Sequence, residues 1–188
     1  MTDTYTITAF SENHIGLLNR ITIIFTRRNV NIHSLTVSES AIRGISKFTI
    51  VVVETEEKVR KVVSQIDKLV EVLKAFYHPN DEIVYQEIAL YKVPTEALLA
   101  SNNLEAIIRK HNARILEVMP EYTVIEKTGH CEETQELFDI LTEFGVKQFT
   151  RSGRVAVTRL SEELLTNYLK EMDEKELELV TKMHETTQ

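Results

Sequence analysis

The residues best suited to chemistry lie in one short run, SENHIGLLNRI, at positions 11–21. An alternating stretch ends there, a polar loop follows, and Gly16 precedes apolar residues at helical spacing. The opening turn of a helix leaves backbone N–H groups without intrahelical acceptors. Those groups, with the helix dipole, attract a carboxylate. Gly16 has no side chain, so a ligand can come close to its backbone. Asn13 carries an amide that accepts from an ammonium group and donates to a carboxylate. Asn31 supplies a second amide, His14 shares the loop, and Ile15, Leu17, Leu18 and Ile32 offer a small aliphatic lining. Such a set fits the head group of an α-amino acid with an apolar side chain. A plainer reading stands beside it, with Asn13 as a helix cap, Gly16 as relief from crowding and Asn31 as a turn residue.

No comparable cluster exists for making or breaking bonds. The chain has no GxSxG, P-loop, GxGxxG, HExxH or CxxC motif. Its six histidines (His14, His33, His78, His111, His130 and His184) follow no metal-ligand spacing, so no metal site is expected. Cys131, the single cysteine, opens a predicted helix; with no partner evident in the sequence, it reads as an ordinary helix residue. No catalytic residue is expected.

The elements that hold the loop follow from periodicity. Residues 4–10 alternate Thr4, Thr6 and Thr8 with Tyr5, Ile7 and Ala9, the pattern of a half-buried strand. Leu17, Leu18, Ile21, Ile24 and Phe25 predict a helix, which Arg27, Arg28 and Asn29 close. A second strand is expected over 30–38. A third covers ISKFTIVVVE, whose apolar run from Ile50 to Val53 implies burial on both faces. Val59, Val62, Val63 and Ile66 mark a second helix, and residues 69–77 a fourth strand. This β-α-β-β-α-β order is the ferredoxin-like arrangement.

The order then repeats. Residues 82–93 alternate as a strand, and Pro94 stands where a helix would start. Leu98, Leu99, Leu104, Ile107 and Ile108 suit a helix broken near 101–103. Two strands at 113–119 and 122–129 flank Pro120 and Glu121. Leu137, Phe138, Ile140, Leu141 and Phe144 form a helical stripe ended by Gly145, and residues 146–160 close as a strand with a Ser-Gly break at 152–153. The expected organisation is therefore an α+β fold of two ferredoxin-like domains, 1–79 and 80–160, followed by an acidic helical tail over 161–188.

Composition narrows the partners. The formal net charge is -7, which opposes binding to nucleic acid or to an anionic membrane surface. No stretch approaches the length of a membrane span, and the N-terminus lacks a basic, apolar leader. A single cysteine fits a reducing, cytoplasmic setting.

The run ENHIGLLNRITIIFTRRNVNIHSLTV, residues 12–37, resembles the ACT-domain signature of acetolactate synthase small subunits, with its E-N-x-x-G-x-L-x-R helix entry and N-I-x-S-L-T-V strand. DKLVEVLKA at 67–75 and ARILEV at 113–118 are similar to further parts of that family, and the likeness spans roughly the first 160 residues. The resemblance implies an N-terminal ACT domain that pairs with a second copy, with Asn13, Gly16 and Asn31 touching an effector amino acid, commonly valine. The partner it implies is the large catalytic subunit, which holds thiamine diphosphate, magnesium and FAD; no cofactor is expected in this chain. Members of the family often carry glycine where Asn29 stands, and Asn tolerates the left-handed backbone that such a turn needs. A stand-alone ACT sensor acting on another protein partner is the alternative.

Overall fold

Alternation of threonine with Tyr5, Ile7 and Ala9 builds β1 (Asp3–Glu12), whose core-facing residues are fully or almost fully buried. The computed structural model describes residues 1–100, 102–160 and 165–170; the side chains of residues 98–100, 102 and 103 lie outside that description. After β1 come α1 (Leu17–Arg27), β2 (Ser34–Glu39), β3 (Ile45–Glu54), α2 (Glu56–Ile66) and β4 (Val72–Pro79). The strands lie in the order β2-β3-β1-β4, all neighbours antiparallel.

Leu17, Ile21, Ile24 and Phe25 form the buried stripe of α1, and Val59, Val62, Val63 and Ile66 that of α2. Both stripes meet Tyr5, Ile7, Ala9, Phe48, Ile50 and Val52 in one core. Each fully buried aliphatic side chain contributes roughly 1.5–3 kcal/mol. β3 is buried on both faces from Phe48 to Val52; of the run Ile50 to Val53 expected to be buried, Val53 departs, at 42% exposure. Asn29 closes α1 with φ 52°, the left-handed conformation that asparagine tolerates.

Two strand starts differ from expectation. β2 begins at Ser34, not Val30. Val30 is 7% exposed and Ile32 packs against the core, so these apolar residues tuck a loop inward rather than pair in a ladder. β4 likewise begins at Val72, because Leu69 sits in a turn that donates to Ile66 O and accepts from Val72 N–H.

The second half repeats the scheme with β5 (Ile83–Val93), α3 (Thr95–Ala100), α4 (Asn102–Lys110), β6 (Arg114–Val118), β7 (Thr123–Gly129), α5 (Cys131–Thr142), β8 (Gln148–Arg151) and β9 (Val155–Thr158). Strand order is β6-β7-β5-β8, and β9 also pairs with β5. Ala89, Tyr91, Val93, Leu104, Ile108, Ile125, Leu137 and Leu141 make its core. The helix break expected at 101–103 falls between α3 and α4, with residue 101 outside the described residues. Ser152 and Gly153 split the expected last strand into β8 and β9.

Two compact units result: Met1–Val84 with the described residues from Val157 onward, and Tyr85–Ala156. A single 3-10 turn, Asn80–Glu82, occupies the expected boundary near residue 79. Of the expected tail over 161–188, residues 165–170 are helical; Leu165 is 1% exposed, and the Tyr168 ring lies 5.6 Å from Lys74 Nζ. The remainder of that tail lies outside the described residues.

Candidate functional site

The loop between β1 and α1 is held open by its backbone. Asn13 N–H donates to Gly44 O at 3.1 Å, tying the loop to the β2–β3 turn, and Leu17 N–H donates to His14 O at 3.3 Å. Gly16 is the residue that caps α1, with φ 86° and no side-chain capping bond. That conformation favours glycine, since an L side chain there costs roughly 1–2 kcal/mol. Asn13 therefore does not cap the helix; its side chain is exposed and bonds to no other group among the described residues. Ile15 and Gly16 donate their N–H groups to no backbone carbonyl among the described residues. A Cβ placed on Gly16 would meet nothing within 4 Å, so the space beside it is open.

A small cavity of about 180 Å³ lies at this mouth, lined by Asn13, His14, Gly16, Leu17 and Leu18 from the loop and helix, and by Val37 and Phe48 from the sheet. Glu12 and Ser46 complete the lining, so polar groups border a wall made by Leu17, Leu18, Val37 and Phe48. Beside it, Glu71 O accepts from Glu12 N–H at 3.0 Å, and the Glu71 carboxylate pairs with Arg20. The Arg20 guanidinium, then Glu71's own backbone N–H, and more weakly the imidazole of His14, hold this carboxyl below the usual range. Glu71 Oε2 is buried without a hydrogen-bond partner.

Of the residues expected at the site, the structure brings together Asn13, His14, Gly16, Leu17 and Leu18. Ile15 is 98% exposed, and it is not among the residues that line this cavity. Asn31 and Ile32 lie at the far end of α1. The register shows this: Asn13 is anchored at Gly44, whereas His33 N–H donates to Val51 O at 2.8 Å. Seven residues of extended chain, from Gly44 to Val51, span roughly 23 Å at about 3.3 Å per residue. Asn13 and Asn31 of one protomer therefore cannot hold the same small molecule.

Glu71 was not evident from the sequence, because only the antiparallel pairing of β1 with β4 brings it beside the loop. The sequence offers Cys131 no evident partner, but in the fold Arg151 Nη1 donates to its Sγ at 2.8 Å, and Arg151 Nη2 to Gln135 Oε1 at 3.0 Å. No group of three or more His, Cys, Asp or Glu side chains is arranged to hold a metal among the described residues. No described helix is long and apolar enough to cross a membrane.

Comparison with known proteins gives one answer along the chain. Residues 7–74 match the family model of the AHAS small subunit-like ACT domain, and residues 86–160 match that of the small subunit of acetolactate synthase. The acetolactate synthase small subunit of Mycobacterium leprae is 35% identical over 83% of this chain and 92% of its own length. The Bacillus subtilis acetolactate synthase small subunit is 36% identical over 81% of this chain and 89% of its own. The crystal structure of the acetolactate synthase small subunit from Thermotoga maritima superposes with a TM-score of 0.76 at 27% identity, covering 85% of this chain and 99% of that one.

Proposed function

Since this chain belongs to the family of acetolactate synthase small subunits, we propose that it binds valine or another branched-chain amino acid at the mouth of α1 and transmits that binding as feedback inhibition to a catalytic subunit. The observation that carries the reading is the cavity of about 180 Å³, where unmatched N–H groups and a free asparagine amide border an apolar wall. The effector carboxylate meets the N–H groups of Ile15 and Gly16. Its ammonium group meets the Asn13 carbonyl oxygen, and its side chain lies against Leu17, Val37 and Phe48. Burial of that side chain supplies roughly 1.5–3 kcal/mol. One methylene more or less changes this by only about 1–3 kcal/mol, so leucine and isoleucine compete.

The second asparagine comes from a second copy. Antiparallel, two-fold pairing along the β2 edge and α1 sets the start of one helix beside the end of the other. Asn31 of the second protomer then closes the site that Asn13 and Gly16 open. Ile15, Leu18, Ile23 and Val37, each at least 38% exposed, supply the apolar surface that such pairing covers. Feedback follows when the effector prefers one of two arrangements of the assembly, with a coupling of about 1–3 kcal/mol. Thiamine diphosphate, magnesium and FAD belong, in this reading, to the catalytic subunit in the cytoplasm, and this chain carries no catalytic group of its own.

Calorimetric titration of the full chain with valine, leucine and isoleucine tests the reading. One site per protomer is expected, lost in both Gly16→Asp and Asn31→Ala. Mixing those two variants should restore one working site per hybrid dimer, because the intact Gly16 and the intact Asn31 then meet in one of the two sites. Valine binding that survives Gly16→Asp, or mixed variants that stay silent, would overturn it.

A further inference from the structure

A cluster of positive charge lies between α1 and α2, outside the cavity at the mouth of α1. Arg27 and Arg28, at the end of α1, face Lys58 and Lys61 of α2 and Lys68 just beyond it, across a cleft of about 640 Å³. Ile24 and Leu69 are its apolar lining residues, Gln65 is its one neutral polar lining residue, and no carboxylate lines it. Five of the chain's 22 lysines and arginines thus gather on one cleft of a chain with net charge -7.

Local pairing leaves much of this charge unspent. Lys58 reaches Glu54 at 2.8 Å and Lys61 reaches Glu57 at 2.5 Å, both along exposed i,i+4 spacings. Those lysines hold the Glu54 and Glu57 carboxyls below their usual range. Arg28 Nε donates to the neutral Gln65 Oε1 at 2.8 Å. Arg27 and Lys68 have no carboxylate partner among the described residues. The helical spacing of Lys58, Lys61 and Gln65 aligns these side chains along one edge of α2. Extended positive charge beside apolar lining residues suits a ligand that is itself elongated, acidic and partly apolar.

We propose that this α1–α2 cleft docks an acidic amphipathic segment of the catalytic subunit, and so helps to couple the regulatory chain to the enzyme. The proposal rests on the small-subunit reading given above. In that reading β2 and the adjoining face of α1 pair with a second copy, and the cleft opens on the far side of α1, toward α2. Charge complementarity of this kind acts mainly on association rate and on specificity, and it weakens with salt.

The test uses the full chain and its own catalytic subunit. Association is followed by surface plasmon resonance at low and high salt, for the wild type, for the triple variant Arg27→Glu/Lys61→Glu/Lys68→Glu, and for the milder Arg27→Gln/Lys68→Gln. The expected result is an affinity loss of about 10–100-fold for the triple variant and about 3–10-fold for the double variant. Both losses should lie mostly in the association rate and shrink at high salt, with valine binding to the isolated variant chains unchanged. Retained valine binding also reports that the variants fold. Association equal to wild type at both salt concentrations overturns the proposal. A loss that disappears when residues 171–188 are removed assigns the cleft to the chain's own acidic tail and overturns it as well. Failure of the wild type to associate at all sinks the small-subunit reading, and failure of the wild type to bind valine sinks the effector site; neither outcome resembles a defect confined to the cleft variants.

Discussion

The two repeats share strand order and helix placement, yet their equivalent mouths are built differently. In the first, four residues from Asn13 to Gly16 separate β1 from α1, and the helix opens with a left-handed glycine and free N–H groups. In the second, β5 ends at Val93, and Pro94 alone leads into α3. Proline brings no N–H to this opening, and at that place none is needed. Thr95, 5% exposed, donates its hydroxyl to Met119 O at 2.5 Å and lies 3.0 Å from the Thr123 hydroxyl. The second mouth is thus occupied by its own polar side chains, and the first keeps unmatched N–H groups beside a small cavity. One frame thus carries a four-residue loop in the first repeat and a single proline in the second.

If the frame is the same in both repeats, equivalent core positions should matter equally. Ile66 of α2 and Leu141 of α5 are each the last fully buried residue of the helix that follows the third strand of their repeat. Ile66→Ala and Leu141→Ala should each cost about 2–5 kcal/mol in denaturant unfolding. A difference much larger than that range would break the claim of a shared frame. Gly16→Asp should weaken valine binding by about 100-fold or more, through strain at φ 86° and repulsion of the effector's carboxylate. Pro94→Ala should leave valine affinity unchanged; a loss there would mean that the second mouth takes part.

Tyr91 sharpens the contrast in the second core. Its hydroxyl donates to Thr134 O at 2.6 Å, and burial pushes its pKa up to about 12. Raised in the folded state, this pKa gives a stabilisation that is fully present below the ordinary tyrosine range near 10, and that fades as pH rises toward 12. Tyr91→Phe should cost about 1 kcal/mol at neutral pH and flatten alkaline unfolding between those values, measured by circular dichroism. Glu71 works in the opposite sense in the first repeat. Its carboxyl is lowered, above all by Arg20, so its contribution is present above the usual glutamate range and is lost as pH falls through the depressed value. Glu71→Gln should give a slightly shallower acid unfolding curve. An unchanged curve would remove Glu71 from the electrostatics of the mouth.

Much of this frame was legible because burial and pairing coincide in period. Tyr5, Ile7 and Ala9 face one core, and Leu17, Ile21, Ile24 and Phe25 cover it. Where the two separate, the reading slipped. Val30 and Ile32 are apolar because a loop tucks inward, and they resemble a strand only in composition. The first half of the site could be read from Asn13 to Leu18, since a helix opening is a local event. That Asn31 lies roughly 23 Å away follows from strand register, which no local pattern encodes. The Arg20–Glu71 pair, the Arg151–Cys131 contact and the basic cleft each join residues from different elements, so each waits on the fold.

The first compact unit joins residues up to Val84 to the described residues after Ala156, with 72 residues, from Tyr85 to Ala156, forming the other unit in between. On a ribosome adding about 5–20 residues per second, those residues take roughly 4–14 s to synthesise. Throughout that interval β1 to β4 have been synthesised, while Leu165 and Tyr168 do not yet exist. The sheet surface around Lys74 therefore spends its first seconds without the aromatic ring that later reaches it. A nascent chain stalled near residue 156 should expose that surface to protease and to chaperones, and one released at full length should not.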